Sequence, residues 1–174
     1  MKKNYKEILK LDLSRYEVKP PIYERKFLSL FRKAQFSNGI FKKINKILFI
    51  LHCKKRNIEF PIDIDVKPGL YFGHSYGITV NPTTIIGKNC NIHKNVTIGQ
   101  ENRGSRKGTP IIGDNVYLGI GCTVVGKITI GNDVLIAPGA FVNIDIPPHS
   151  VVIGNPCKIF SRKDATEEYI QNRV

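Results

Sequence analysis

A mainly β solenoid of stacked triangular coils is the fold class this sequence predicts, and three observations predict it. Aliphatic residues recur every six positions at Val80, Ile86, Ile92 and Ile98, and again at Ile112, Leu118, Val124, Ile130, Ile136 and Val142. Four residues after every slot but Ile98 stands a second small or β-branched side chain: Thr84, Cys90, Val96, Val116, Cys122, Ile128, Val134, Ala140 and Ile146. Glycine directly follows five of the ten slots, at Gly87, Gly99, Gly113, Gly119 and Gly131. A period of six fits neither an amphipathic helix nor a simple strand. It fits a short strand plus a turn, repeated.

Three such hexads close a coil of about 18 residues. The slot and the small residue four later point inward and stack on their equivalents in the next coil, so stability accumulates by stacking. Glycine and asparagine suit the corners, which need unusual backbone angles. Residues 62–154 hold material for about four to five coils.

The elements follow in order. Residues 1–57 form a basic helical segment. A first helix carries Tyr5, Ile8 and Leu9 and ends before Pro20-Pro21; a second over 22–37 carries Tyr23, Phe27, Leu30, Phe31 and Ala34 on one side. A third over 40–56 is expected to bury Phe41, Ile44, Ile47, Leu48 and Leu51 and to expose its lysines. The solenoid occupies 58–160. Residues 100–110 lack an apolar slot and are expected to leave the coil as a polar loop. The tail, 161–174, is expected to contain a short helix around Glu167–Gln171.

Charge is unevenly placed. Residues 1–58 hold 16 Lys/Arg against 4 Asp/Glu, and the remainder 11 against 10. The solenoid is thus nearly neutral, and the basic N-terminal segment points to an acidic partner, an anionic membrane surface or a neighbouring chain. No nucleic-acid recognition motif accompanies the charge. Cys53, Cys90, Cys122 and Cys157 form no CxxC pair, and Cys90 and Cys122 fill inward slots. Lys2 and Lys3 are followed by no apolar run of signal-peptide length, and the longest such run, Ile47–Leu51, cannot span a bilayer. A reduced, cytoplasmic setting is expected, with the basic helix placing the protein at the inner membrane surface.

Of the histidines, His74 stands out. Counting back from Val80 puts it in an aliphatic slot, so either the coil leaves its register there or an imidazole enters the core. His93 follows a slot and reads as surface or interface, His149 as part of an exit turn and His52 as a packed helical residue.

Gly-Leu-Tyr-Phe-Gly-His (69–74), Gly-Ile-Thr-Val-Asn-Pro (77–82), Asn-Val-Thr-Ile-Gly (95–99) and Pro-Pro-His-Ser-Val-Val-Ile-Gly-Asn-Pro (147–156) resemble the hexapeptide-repeat acyltransferases, in their serine acetyltransferase branch. Within it they resemble the small members that O-acetylate sugars of surface polysaccharides. The resemblance covers 58–160 and implies a left-handed parallel β-helix, an exception to the right-handed crossover rule. It implies that His74 is the general base, deprotonating an acceptor hydroxyl that attacks the thioester of acetyl-CoA. Glu59, fifteen positions earlier, would orient the ring, with Asp63 and Asp65 as rivals.

Members that acetylate serine carry Asp before that histidine, Arg-His before the loop's proline, and a longer helical domain. This chain has Gly73, then Gly108-Thr109 before Pro110. The expectation is therefore a neutral acceptor, a sugar hydroxyl in surface or capsular polysaccharide biosynthesis. Serine acetylation in cysteine biosynthesis is the first alternative and a non-catalytic scaffold the second. Gly73, Ser75, Tyr76 and Thr109 are the expected acceptor-binding residues. The resemblance places acetyl-CoA along the solenoid between subunits of a homotrimer, against Gly99, Gly119, Ile120, Ala137 and Pro138, with Lys158 and Arg162 near its phosphates. No metal is expected: His74 and His93, the nearest pair of histidines, are 19 residues apart.

Overall fold

The computed structural model describes residues 4–174; Lys2 and Lys3 lie outside the described residues. Three helices come first: α1 (Tyr5–Ser14), α2 (Ile22–Phe36) and α3 (Gly39–Lys54). Fourteen short strands follow: β1 (Asp65–Val66), β2 (Tyr71–Gly73), β3 (Thr79–Val80), β4 (Ile85–Ile86), β5 (Asn91–His93), β6 (Thr97–Gly99), β7 (Ile111–Ile112), β8 (Val116–Leu118), β9 (Thr123–Val125), β10 (Thr129–Ile130), β11 (Val134–Ile136), β12 (Phe141–Val142), β13 (Ser150–Ile153) and β14 (Lys158–Ser161).

The strands form the three faces of a prism of about five turns, ordered β1-β4-β7-β10, β2-β5-β8-β11-β13-β14 and β3-β6-β9-β12. All pairings between them are parallel except β13 with β14. The register puts slot on slot: Phe72, Ile92, Leu118, Ile136 and Val152 stack in one column, and Val80, Ile98, Val124 and Val142 in another. All are buried, as are Cys90 and Cys122, whose thiols burial pushes up to about 12. They are packing residues.

Two departures from an 18-residue coil matter for function. Thr97 pairs with Thr123, 26 positions on, because residues 100–110 leave the coil. They form a small hairpin in which Glu101 and Gly108 bridge and Arg106 reaches Glu101 at 3.0 Å. Tyr71 pairs with Asn91, 20 positions on, whereas Ile111 pairs with Thr129, 18 on. The two extra residues fall in the corner after β2. Phe72 fills the core slot there, and His74 is turned outward with φ +56°. The register slips; the imidazole does not enter the core.

The open end of the first coil is capped by α2 and α3, as the terminal unit of any solenoid must be. Phe27 meets Phe49, Phe60 and Phe72 edge-on at ring separations of 5.0, 5.6 and 4.6 Å, joining helices to coil. Asp12 of α1 and Arg32 of α2 form a buried ion pair at 2.7 Å; Asp12 also accepts the N–H groups of Gly69 and Leu70.

Two expectations are corrected. Of α3, Phe49, His52 and Cys53 are buried, while Phe41, Ile44, Ile47, Leu48 and Leu51 are exposed. Among the described residues α2 and the first coil pack against this helix, and they cover the face opposite its broad apolar stripe. The tail forms no helix: residues 163–169 are turns, tied down by Asp133, which accepts hydrogen bonds from the backbone of Ala165 and Thr166.

Candidate active site

The lengthened corner, residues 73–77, stands over an open cavity of about 740 Å³. Its walls come from three parts of the chain: Tyr16 and Glu24 with Arg56 from the helical segment, Tyr71, His74, Tyr76, His93 and Tyr117 from the solenoid, and Tyr169 from the tail. The tail reaches the helical segment through Arg15, which donates to the Gln171 and Gly69 carbonyls and to Asn91.

The corner is held from both sides. Buried Ser75 donates its hydroxyl to Glu24 Oε1 at 2.7 Å, and Arg56 Nη1 donates to the same oxygen at 2.9 Å. The Arg56 carbonyl accepts the Gly77 N–H at 2.8 Å, and its guanidinium lies 3.8 Å from the Tyr23 ring centroid. Glu24 Oε2 is buried without a partner among the described residues. On the other side Gly73 pairs with His93 one coil above. A Cβ at Gly73 would lie 2.3 Å from His93 Cε1 and 2.4 Å from Nδ1, so any side chain there would have to displace the ring above it. His93 packs tilted against Tyr117, with ring centroids 4.6 Å apart, and its Nε2 is buried with no partner among the described residues. Burial, with the nearby His74 as a lesser cause, lowers the His93 pKa to about 4 and keeps it neutral.

The predicted residues separate into groups. Gly73, His74, Ser75 and Tyr76 lie in the lengthened corner. Gly119, Ile120, Ala137 and Pro138 lie on the same edge of the prism: the Lys94 and Tyr76 carbonyls accept the N–H groups of Gly121 and Asn95, and Ile120 accepts that of Gly139. Lys158 pairs with Ile153 near the end of this edge, whereas Arg162, past the other end of β14, donates its N–H to the His149 carbonyl. Gly99 and Thr109 lie on another edge, beside the hairpin, where the Thr109 and Thr83 hydroxyls are 3.0 Å apart. Glu59 is exposed and pairs through its backbone with Thr79; among the described residues no hydrogen bond joins it to His74. Asp63 and Asp65 pair with Lys42 and Lys67, and among the described residues neither hydrogen-bonds His74.

Sequence reasoning missed Glu24, Arg56 and the place of His93. His93 was detectable, because it follows a slot where other coils carry glycine and lies one coil above Gly73. Glu24 and Arg56 reach the site only through the packing of α2 and the end of α3.

Comparison with known proteins agrees with this geometry. The family model "Bacterial transferase hexapeptide (six repeats)" matches residues 109–143. Helicobacter pylori serine acetyltransferase is 30% identical over 123 residues, covering 67% of this chain and 72% of that protein. Serine acetyltransferase 4 of Arabidopsis thaliana is 30% identical over 151 residues, 78% of this chain and 42% of the relative. The crystal structure of Neisseria gonorrhoeae serine acetyltransferase in complex with serine superimposes with a TM-score of 0.75 at 25% identity, covering 90% of this chain and 69% of that one. The fold is therefore the left-handed parallel β-helix, and the chain belongs to the serine acetyltransferase family of hexapeptide-repeat transferases. It spans less than half the length of the Arabidopsis relatives it matches.

These relatives correct the expectation of a sugar acceptor in polysaccharide biosynthesis: they are serine acetyltransferases. That expectation rested on the uncharged Gly73, Gly108 and Thr109 and on the shorter helical segment. It took no account of charges delivered from elsewhere in the chain, and Glu24, Arg56 and Lys94 all line the cavity beside His74.

Proposed function

We propose that this chain is a serine O-acetyltransferase, moving the acetyl group of acetyl-CoA to the serine hydroxyl. The observation that carries the reading is His74, turned out of the solenoid at a corner built two residues longer than its counterparts and clamped over an open cavity. An unassisted hydroxyl is a poor nucleophile at neutral pH, and a positioned imidazole contributes about 10²–10⁴-fold. His74 would take the hydroxyl proton as the oxygen attacks the thioester carbonyl. The proton then passes from the imidazolium to the departing CoA sulfur as the tetrahedral intermediate collapses. Glu59, with its exposed carboxylate one coil below Thr79, is the group proposed to turn toward the ring and hold its tautomer. Arg56 and Lys94, which line the cavity beside His74, supply positive charge for the carboxylate of a zwitterionic acceptor.

Acetyl-CoA would lie along the edge formed by Gly119, Ile120, Ala137 and Pro138, where small and turn residues leave room for a narrow chain, with Lys158 at its end. Thr109, Gly99 and Arg162 are remote from this edge in one protomer. A homotrimer in which a neighbour's hairpin faces His74 would reunite Thr109 and Gly99 with the site. The exposed apolar stripe of α3, with its lysines and the basic N-terminal segment, supports contact with an anionic membrane surface. No described helix is long and apolar enough to cross a membrane.

His74→Asn tests the base. Asparagine tolerates the left-handed backbone that position 74 adopts, so the corner should keep its shape. Serine-dependent CoA release should fall at least about 10²-fold; near-normal turnover in the variant would remove His74 from the reaction.

A further inference from the structure

We propose that His93 determines acceptor specificity, supplying the hydrogen bond that holds a polar group of an amino-acid acceptor beside its reacting hydroxyl. This rests on the serine reading above and goes beyond it by assigning a second imidazole to the acceptor site.

Position comes first. His93 pairs with Gly73, the residue before His74, and both imidazoles lie in the wall of one cavity. Space comes second. The chain gives up a side chain at Gly73 so that the His93 ring can lie there, and a Cβ would fall 2.3 Å from its Cε1. Chemistry comes third. The ring packs on Tyr117 at 4.6 Å, and Tyr117 meets Tyr169 edge-on at 5.1 Å, so its neighbours are aromatic. Among the described residues Nε2 has no partner. An unpaired polar atom in such a wall is costly, and Leu or Phe would fill the space without that cost. Nε2 is sealed from solvent, so the nitrogen left to meet a ligand is Nδ1, beside Gly73. Because the ring stays neutral, it can bind a polar substituent without adding a second positive charge beside His74.

His93→Phe keeps a ring against Tyr117 and removes both nitrogens. With serine and acetyl-CoA as substrates, the serine KM should rise about 10-fold, the effect of one lost hydrogen bond, while kcat and the acetyl-CoA KM change less than about twofold. Gly73→Ala should raise the serine KM by displacing the ring, yet have no further effect in a His93→Ala background. Thermal melts establish that each variant is folded, and His93→Asn is the second choice should the Phe variant misfold. An unchanged serine KM, or an equal rise in both KM values, overturns the role of His93 and leaves the serine assignment standing. Absence of serine-dependent CoA release by the unaltered protein overturns both.

Discussion

The imidazole of His93 covers Gly73 so closely that a side chain at 73 would have to share its space, with Cε1 only 2.3 Å from the position of a Cβ. Strand register brings the two together, since β2 and β5 pair Gly73 with His93. A ring held in this way is partly cut off from water, and its pKa falls from the ordinary 6.5 to about 4. Below pH 6.5 the unfolded chain takes up a proton that the folded one refuses, so stability rises with pH between about 4 and 6.5. His52, also lowered by burial, acts with the same sign. Urea midpoints from pH 7.5 down to 4.5 should therefore decline, and decline less in His93→Phe. Parallel curves for the two proteins would mean that the His93 proton does not separate the states.

The corner that carries His74 depends on Glu24. Its Oε1 accepts both Ser75 and Arg56, and the Arg56 carbonyl holds Gly77. Removing the carboxylate leaves two donors without their acceptor, one of them charged. Glu24→Ala should cost about 1–3 kcal/mol of stability and lower kcat through loss of the corner's geometry. Ser75→Ala removes one neutral hydrogen bond and should cost about 0.5–1.5 kcal/mol. Chemical denaturation and steady-state kinetics on both variants measure the difference. A Glu24→Ala enzyme with normal kcat would show that the corner holds its own shape.

The solenoid was legible in the sequence because each coil repeats one local requirement, an inward aliphatic every six residues, and Ile92, Leu118 and Ile136 meet it without help from distant parts of the chain. The corner at His74 was half legible. Counting from Val80 flagged the position, but only the observed pairing of Tyr71 with Asn91 tells that Phe72 takes the slot and the ring leaves the core. The cavity wall was not legible, since Tyr16, Glu24 and Arg56 arrive through the packing of helices on the first coil and no short motif encodes that arrangement. The burial of α3 was misjudged for a related reason. A broad apolar stripe does not reveal which neighbour covers it.

That stripe yields a contrast between two faces of one helix. Ile44 and Leu48 are exposed, and Phe49 is 1% exposed against Phe27 and Phe31. Ile44→Glu with Leu48→Glu should leave the protomer's fold intact, shifting its stability by no more than about 0.5 kcal/mol per site. On the proposal that the stripe rests on an anionic membrane, the double variant should also bind phosphatidylglycerol vesicles less than the unaltered protein in a sedimentation assay, and equal binding would remove the stripe from that contact. Phe49→Ala should cost about 3–5 kcal/mol. Comparable losses of stability for the two faces would place the stripe in an interior contact.

Asp12 and Arg32 anchor the helical cap, and through it one wall of the cavity. The guanidinium is 1% exposed, and besides Asp12 it donates to Gln35 and to the Val66 and Lys67 carbonyls. Asp12 in turn closes the end of the first coil by accepting from Gly69 and Leu70. Asp12→Ala leaves a buried cation without its counter-ion, a loss of about 3–5 kcal/mol. Replacing both members, Asp12→Leu with Arg32→Met, removes the stranded charge and should recover part of the loss, because apolar residues of similar volume often match a buried pair. The recovery should be incomplete: the N–H groups of Gly69 and Leu70 lose their acceptor in either variant. Denaturant midpoints for the single and double variants test this ordering. A double variant less stable than Asp12→Ala would mean that the Arg32 hydrogen bonds to the Val66 and Lys67 carbonyls, which only the double variant loses, outweigh the relief of the stranded charge.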